Sequence, residues 1–301
     1  MSFFEKIVYA NCIEIEKPTV FSPFHIVSFL LMALTTIGIS LWFAKCKSDK
    51  TIRIFTLVCW IVMVLFECYK HVVYSFSYEQ ETGVKWDYAW HTFPFQLCSS
   101  PLYILPFLVF LKEGKVRDAF LSYICTFSLF GGLVVMIYPG TVFDERVMID
   151  IQSMVHHSIQ CILGVSLVVF YRKKFTWKFF STGIIVYIGM ITVAQILNAI
   201  LPSLVKEEFN MFYISWKYDC ILPLLEMVYA NTPYLVFFLI YLLGFVLISS
   251  IIFAIIWGIL RLIDFIKKKR GTPATVATVA TAEENSDERA EETAVSQEDV
   301  Q

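Results

Sequence analysis

Apolar residues along this chain come in long, nearly unbroken runs rather than in alternating or striped patterns. A helix needs about 20 mostly apolar residues to cross a bilayer. Seven runs approach that length, at about 24–44, 52–75, 94–111, 118–138, 154–171, 179–201 and 233–262. The third and fifth are short. The seventh carries no charge from Tyr234 to Leu260 and is long enough to tilt or protrude. The pattern predicts an all-α, polytopic membrane protein of about seven transmembrane helices. Its parts are a segment 1–23, a helical bundle 24–266, and a basic cluster with a polar tail over 267–301.

The connections between runs carry a second pattern. Lys45, Lys47, Lys50 and Arg53 fill the first. Lys112, Lys115 and Arg117 fill the third, and Arg172, Lys173, Lys174 and Lys178 the fifth. Arg261 and Lys267 to Arg270 follow the last run. The intervening connections hold Glu79, Glu81 and Asp87, then Asp144, Glu145 and Asp150, then Glu207, Glu208 and Asp219. Basic and acidic connections alternate, which requires an odd number of crossings. The positive-inside rule then places the N-terminus outside and the C-terminus in the cytoplasm. Residues 1–20 carry Glu5, Lys6, Glu14, Glu16 and Lys17 without an apolar core, so a cleaved signal is not expected. The tail, rich in Thr, Ala, Val and Glu, is expected to be a disordered solubilising segment.

Composition agrees with this reading and removes alternatives. The chain is 57% hydrophobic, above the 45–50% usual for soluble domains. A net charge of −2 argues against nucleic acid as a partner and leaves membrane lipids. The eight cysteines include no CxxC and mostly lie inside apolar runs, so neither a disulfide framework nor a zinc knuckle is expected. No protein partner or cofactor is indicated.

Polar groups inside a bilayer normally face the bundle interior or a wet cavity. With directions assigned, His25, His71, His91, His156 and His157 all fall on the outer side. Glu67, Gln195 and Asn198 lie in the outer parts of their runs, and Gln96, Cys98, Ser99 and Ser100 at the start of the third. An outward-facing polar pocket follows, with His25, Glu67, His71, His91, Ser99, Tyr103, Gln195 and Asn198 expected in its lining. Glu67 needs a partner at that depth, and Lys70 and His71 stand at i+3 and i+4.

The candidate chemistry gathers in "WHTFPFQLCSSPLYILPF", residues 90–107. Pro94 suits a first helical turn. Pro101 and Pro106, inside the helix, would free the carbonyls of Leu97 and Leu102. Gln96, Ser99, Ser100 and Tyr103 then share one helical stripe, with Cys98 at its edge. A helix start offers free N–H groups to a thiolate or an oxyanion. In "MVHHSIQCILG", residues 154–164, His157, Gln160 and Cys161 share a face and His156 points away. Cys98 is the candidate nucleophile and His157 or His156 its base. Gln96 and backbone N–H groups form the candidate oxyanion hole. A histidine-held metal ranks lower, because no HxxxH or HExxH puts two ligands on one helix face, and no metal is expected.

The strings "FPFQLCSSPLYILPF", "HHSIQCILG" and "NAILPSLVKEEFNMFYIS" together resemble the YwaF-like bacterial integral membrane proteins, over residues 20–260. That family's element at the third span looks like Pro-Leu-His-Leu-Cys. Here Pro94, Phe95, Gln96, Leu97 and Cys98 stand in those places, with Gln96 in place of the histidine. The histidine pair opening a span matches His156 and His157, and the asparagine-rich element matches Asn198 and Asn210. The family is more distantly similar to eukaryotic multi-pass proteins linked to phospholipid acyl transfer and lipid ester cleavage. That similarity implies a lipid-directed acyltransferase or hydrolase using a Cys/His pair, and the YwaF-like resemblance implies a bacterial plasma membrane. A small-solute transporter or permease is the alternative, although no internal repeat is visible and the inner halves of the runs lack polar residues. A membrane sensor or scaffold is the third reading.

Overall fold

The computed structural model describes residues 1–271, so the expectation for the tail falls, from residue 272 on, outside the described residues. The chain divides into a unit spanning residues 1–253 and a second unit beginning at Ala254, whose described part is helical to Gly271. Nearly everything regular is helix.

Six helices are long and apolar enough to cross a membrane. They are α2 (Pro23–Lys45), α3 (Asp49–Ser75), the continuous α5–α6 (Lys115–Ile137), α7 (Val147–Phe170), α8 (Trp177–Val205) and α10 (Tyr234–Gly271). Ser22, Ser48 and Thr176 cap α2, α3 and α8 with side-chain oxygens that accept the free N–H groups of the first turn. Before α2, helix α1 (Phe3–Asn11) is capped by Ser2 and Glu5 and packs on the antiparallel hairpin β1 (Phe76–Glu79) and β2 (Gly83–Trp86). Phe4 meets Phe76 and Tyr9 meets Tyr78 edge-on at 5.4 and 5.5 Å. A short helix, α9 (Leu225–Asn231), precedes α10.

The third apolar run departs from expectation. Only Pro101–Phe110 is α-helix, here α4, and residues 93–100 form turns and irregular chain. Pro94 is therefore not in a first helical turn. Pro101 is the N1 residue rather than an interior one. N1 is where a missing N–H loses nothing, so the helix begins at the second proline of the string, although Ser100 before it already has helical backbone angles (φ −56°, ψ −31°). Even so, this segment follows α3 along its length in the opposite direction. Thr92 lies by His71, Trp60 Nε1 donates to the Leu102 carbonyl (2.8 Å), and Arg53 Nη1 donates to the Leu111 carbonyl (2.6 Å). From residue 53 to residue 71 a helix rises about 27 Å. The Leu102 carbonyl is the one that Pro106 leaves free, and the Trp60 indole occupies it.

Close packing of α5–α6 against its neighbours uses glycine. A π-turn at Ile124–Ser128 joins α5 (Lys115–Tyr123) to α6 (Leu129–Ile137). A Cβ on Gly132 would lie 2.8 Å from Gln160 Cβ and 3.0 Å from the His157 carbonyl oxygen. One on Gly164 would lie 2.8 Å from Leu129 Cβ. Gly132→Ala is thus expected to push α7 away at His157 and Gln160. It should lower the thermal midpoint in detergent by several degrees, since overpacking a tight contact typically costs about 1–3 kcal/mol. A wild-type midpoint would show that the contact relaxes freely.

At the Asp49 end of α3, charges bind the end of α4. Asp49 accepts from Arg53 Nε (2.6 Å), from Arg117 Nη2 (3.1 Å) and from the Tyr171 hydroxyl. Arg117 Nε donates to the Leu108 carbonyl (3.0 Å), and Arg53 Nη1 also reaches the Val109 carbonyl (2.8 Å). The last carbonyls of α4, which have no partner within the helix, are satisfied by these guanidinium groups.

Candidate functional site

At the opposite end of α3 lies a cavity of about 300 Å³. The C-terminal turns of α3 contribute Glu67, Lys70 and Tyr74, and the irregular chain before α4 contributes His91, Gln96, Cys98 and Ser99. The loop before α7 contributes Phe143 and Asp144. The first turns of α7 contribute Gln152, Ser153, His156 and His157, and Tyr213 comes from the loop after α8. Seven residues singled out in the sequence thus share one cavity: Glu67, His91, Gln96, Cys98, Ser99, His156 and His157.

The local backbone explains how α7 meets Cys98. The chain from Gln96 to Tyr103 turns with i to i+3 bonds: Ser99 N–H to Gln96 O, Leu102 N–H to Ser99 O, Tyr103 N–H to Ser100 O. In that register the carbonyl facing the missing N–H of Pro101 is that of Cys98, not that of Leu97. Leu97 instead accepts from the backbone N–H and hydroxyl of Ser100. The freed Cys98 carbonyl accepts from His156 Nε2 (2.9 Å) and Gln160 Nε2 (2.6 Å). A proline-released carbonyl therefore fastens the reactive turn to α7.

These bonds separate the two histidines. His156 Nε2 is occupied by the Cys98 carbonyl. His157 Nδ1 donates to its own helix, to the Ser153 carbonyl at 2.6 Å. Its Nε2 is buried and has no hydrogen-bond partner among the described residues. A ring held as the Nδ1–H tautomer presents a basic lone pair at Nε2. His156 Nδ1 is likewise buried without a partner among the described residues, so each ring keeps one open nitrogen. What separates them is that the His156 ring is tied to the Cys98 carbonyl, whereas His157 is anchored only to its own helix and is free to serve as the base.

Several expectations need correction. Gln96 Nε2 donates to the Asn210 carbonyl (2.9 Å), so that N–H is spent on a loop rather than held ready for an oxyanion. The N–H groups of Ser99 and Ser100 close on the carbonyls of Gln96 and Leu97, so the turn offers neither of them as an oxyanion donor. Tyr103 turns away and packs its ring 5.4 Å from Phe95. His25 is buried beside a separate apolar groove of about 210 Å³. There its Nε2 donates to the Met136 carbonyl (2.9 Å) and its Nδ1 accepts from the Phe21 N–H (3.0 Å). His71 stands behind the cavity wall, where Nε2 meets Glu67 at 3.5 Å and Nδ1 accepts from the Tyr88 hydroxyl at 3.3 Å. Lys70 is the other partner of buried Glu67, as the i+3 and i+4 spacing predicts.

Gln195 and Asn198 do not line the cavity either; they hold a loop. Asn198 takes the Met211 N–H on its carbonyl oxygen (2.7 Å) and gives its amide to the Met211 carbonyl (2.9 Å). Gln195 donates to the Tyr234 hydroxyl (2.6 Å) and approaches the Ile214 carbonyl (3.3 Å). Between these anchors Phe212 and Tyr213 both have φ +56°, the left-handed region that costs a bulky residue about 1–3 kcal/mol.

A profile of the TMEM164 family matches residues 20–260, well over half of the chain. The chain belongs to the TMEM164 family. This is a family of multi-pass membrane proteins, and the matched region contains every cavity-lining residue named above. No curated protein and no solved structure matches the chain. For this TMEM164-family member the sequence reading missed Tyr74, Asp144 and Tyr213. The first two belong to one network, in which Asp144 accepts from the Tyr74 hydroxyl (2.7 Å) and Arg146 lies over the Tyr74 ring at 5.1 Å. Aromatic residues abound in the chain, so nothing local distinguishes these tyrosines from core ones.

Proposed function

We propose that this TMEM164-family protein is a membrane-embedded acyltransferase or lipid ester hydrolase, with Cys98 as nucleophile and His157 as base. One observation carries the reading: Cys98 lines the same cavity as a histidine whose Nδ1 is fixed and whose buried Nε2 has no partner among the described residues. His157 Nε2 would take the thiol proton as Cys98 Sγ attacks the ester carbonyl carbon of a membrane lipid. The tetrahedral oxyanion collapses to a thioester on Cys98, and the departing alkoxide takes the proton from His157. A second alcohol or water then attacks the thioester. His157 accepts its proton and returns it to the Cys98 thiolate, giving a new ester or a free acid.

The membrane setting is part of the same proposal. The stretch 92–111 follows the whole of α3, which supports counting it as a seventh crossing beside the six long helices. Seven crossings, with the charge alternation of the connections, put the N-terminus and the cavity outside and the C-terminus in the cytoplasm. The YwaF-like resemblance supports a bacterial plasma membrane.

Purified protein in vesicles of phosphatidylcholine with a labelled acyl chain tests the chemistry. The expected result is a hydroxylamine-sensitive mass increase of one acyl group on Cys98, and transfer at background level in Cys98→Ala. Wild-type protein that neither acquires an adduct nor releases fatty acid would sink the reading. Uptake of a small solute that persists in Cys98→Ala would favour a transporter instead.

A further inference from the structure

We propose that Tyr213 is a substrate-contacting residue of this cavity, a phenol whose O–H donates to the carbonyl oxygen of the lipid ester as it becomes an oxyanion. The inference rests on the acyl-transfer reading above and adds a donor where three of the expected ones are committed elsewhere. The N–H groups of Ser99 and Ser100 are closed within their own turn, and one N–H of Gln96 is spent on the Asn210 carbonyl. The Cys98 N–H makes no backbone bond among the described residues, so an oxyanion in this cavity draws on that amide and on side-chain donors.

The loop that carries Tyr213 is built as a delivery device. Two consecutive bulky residues, Phe212 and Tyr213, sit at φ +56°, a backbone region that L-residues other than glycine seldom occupy. Such a conformation persists only where the surroundings over-determine it. Here the bracing is complete on both sides. Asn198 binds both backbone groups of Met211. Asn210 accepts from the Ser215 N–H (2.9 Å) and donates to the Asp219 carbonyl (3.0 Å). Gln96 ties the loop to the Cys98 turn through the Asn210 carbonyl.

The same geometry sends neighbouring side chains to different places. Phe212 is fully buried and packs 5.9 Å from Phe95, whereas Tyr213 lines the cavity with Cys98 and His157. Its hydroxyl makes no hydrogen bond among the described residues. Burial pushes the phenol up to about 12, so it stays protonated and able to donate at neutral pH. A core tyrosine would not need two left-handed residues and three bracing amides; a side chain aimed at a reacting atom would.

Tyr213→Phe removes the donor and keeps the ring, so the loop and its bracing should survive. The probe is the labelled phosphatidylcholine vesicle, read as the rate of acyl-adduct formation on Cys98. Loss of one oxyanion donor is expected to slow acylation by about 10²-fold, with little change in the lipid concentration giving half-maximal rate. The thermal midpoint and the rate of Cys98 alkylation by a small maleimide should match wild type, which a merely structural role would not allow alongside slow acylation. Tyr213→Phe acylating within threefold of wild type would overturn the proposal while leaving the Cys98 reading intact. So would a loss of rate accompanied by an equal loss of alkylation or of thermal stability. The absence of any adduct in wild type would overturn both. Ser99→Ala serves as the comparison: if it alone abolishes acylation, the donor is Ser99 and not Tyr213.

Discussion

His157→Asn is expected to reduce acyl transfer from a phospholipid donor by about 10²–10⁴-fold, the range in which a positioned general base contributes. Asparagine is chosen because its amide nitrogen can replace Nδ1 and keep the bond to the Ser153 carbonyl. It then lacks only the Nε2 lone pair. His156→Asn is the internal contrast. That variant loses the bond from Nε2 to the Cys98 carbonyl, which Gln160 shares, so its effect should fall mainly on stability and on placement of the turn. Transfer rates measured in vesicles, together with thermal midpoints, separate the two. If His157→Asn stays within threefold of wild type and His156→Asn abolishes transfer, the base has been assigned to the wrong ring.

The second large effect belongs to the far end of α3. Asp49→Ala removes the carboxylate shared by Arg53, Arg117 and Tyr171. Arg117 is only 3% exposed and would keep just the Leu108 carbonyl and the Tyr171 hydroxyl. Leaving a buried charge without its counter-ion typically costs about 3–5 kcal/mol. Asp49 itself is partly exposed, which places the expectation at about 3 kcal/mol. A clearly lowered midpoint in detergent is expected, with Asp49→Asn less damaging because it keeps an acceptor. Acyl transfer per folded molecule should not change, since this cluster lies at the end of α3 away from the cavity. An unchanged midpoint would mean that solvent replaces the carboxylate without loss.

Much of the architecture was legible from runs of apolar residues. Six of the seven expected spans correspond to long helices, with ends within a few residues for α2, α3 and α10's start. The one that failed as a continuous helix is the one with three prolines. There, apolar length and backbone compatibility disagree, and length carried the expectation. The candidate site was legible in part because polar residues are conspicuous against so greasy a background. Glu67, Gln96, Cys98 and the His156–His157 pair stand out by residue type alone, and they line one cavity. His25, Gln195 and Asn198 stand out equally but spend their polarity on backbone groups. The sequence contains no mark that distinguishes a polar side chain bracing a loop from one facing a cavity.

That difference marks the boundary between the two kinds of information. Span length, charge placement and the i+3 and i+4 pairing of Glu67 are local quantities, so the order of residues determines them directly. Hydrogen-bond partners are not local. The Cys98 carbonyl finds His156 58 residues away, and Gln96 finds the Asn210 carbonyl 114 residues away. Which carbonyl Pro101 leaves free depends on whether its turn closes at i+3 or i+4, a choice set by packing against α7. Which nitrogen each histidine keeps open, Nδ1 on His156 and Nε2 on His157, and that Tyr213 enters the cavity at all, follow from the same packing. Each buried polar group must be satisfied by whatever the fold brings within about 3 Å.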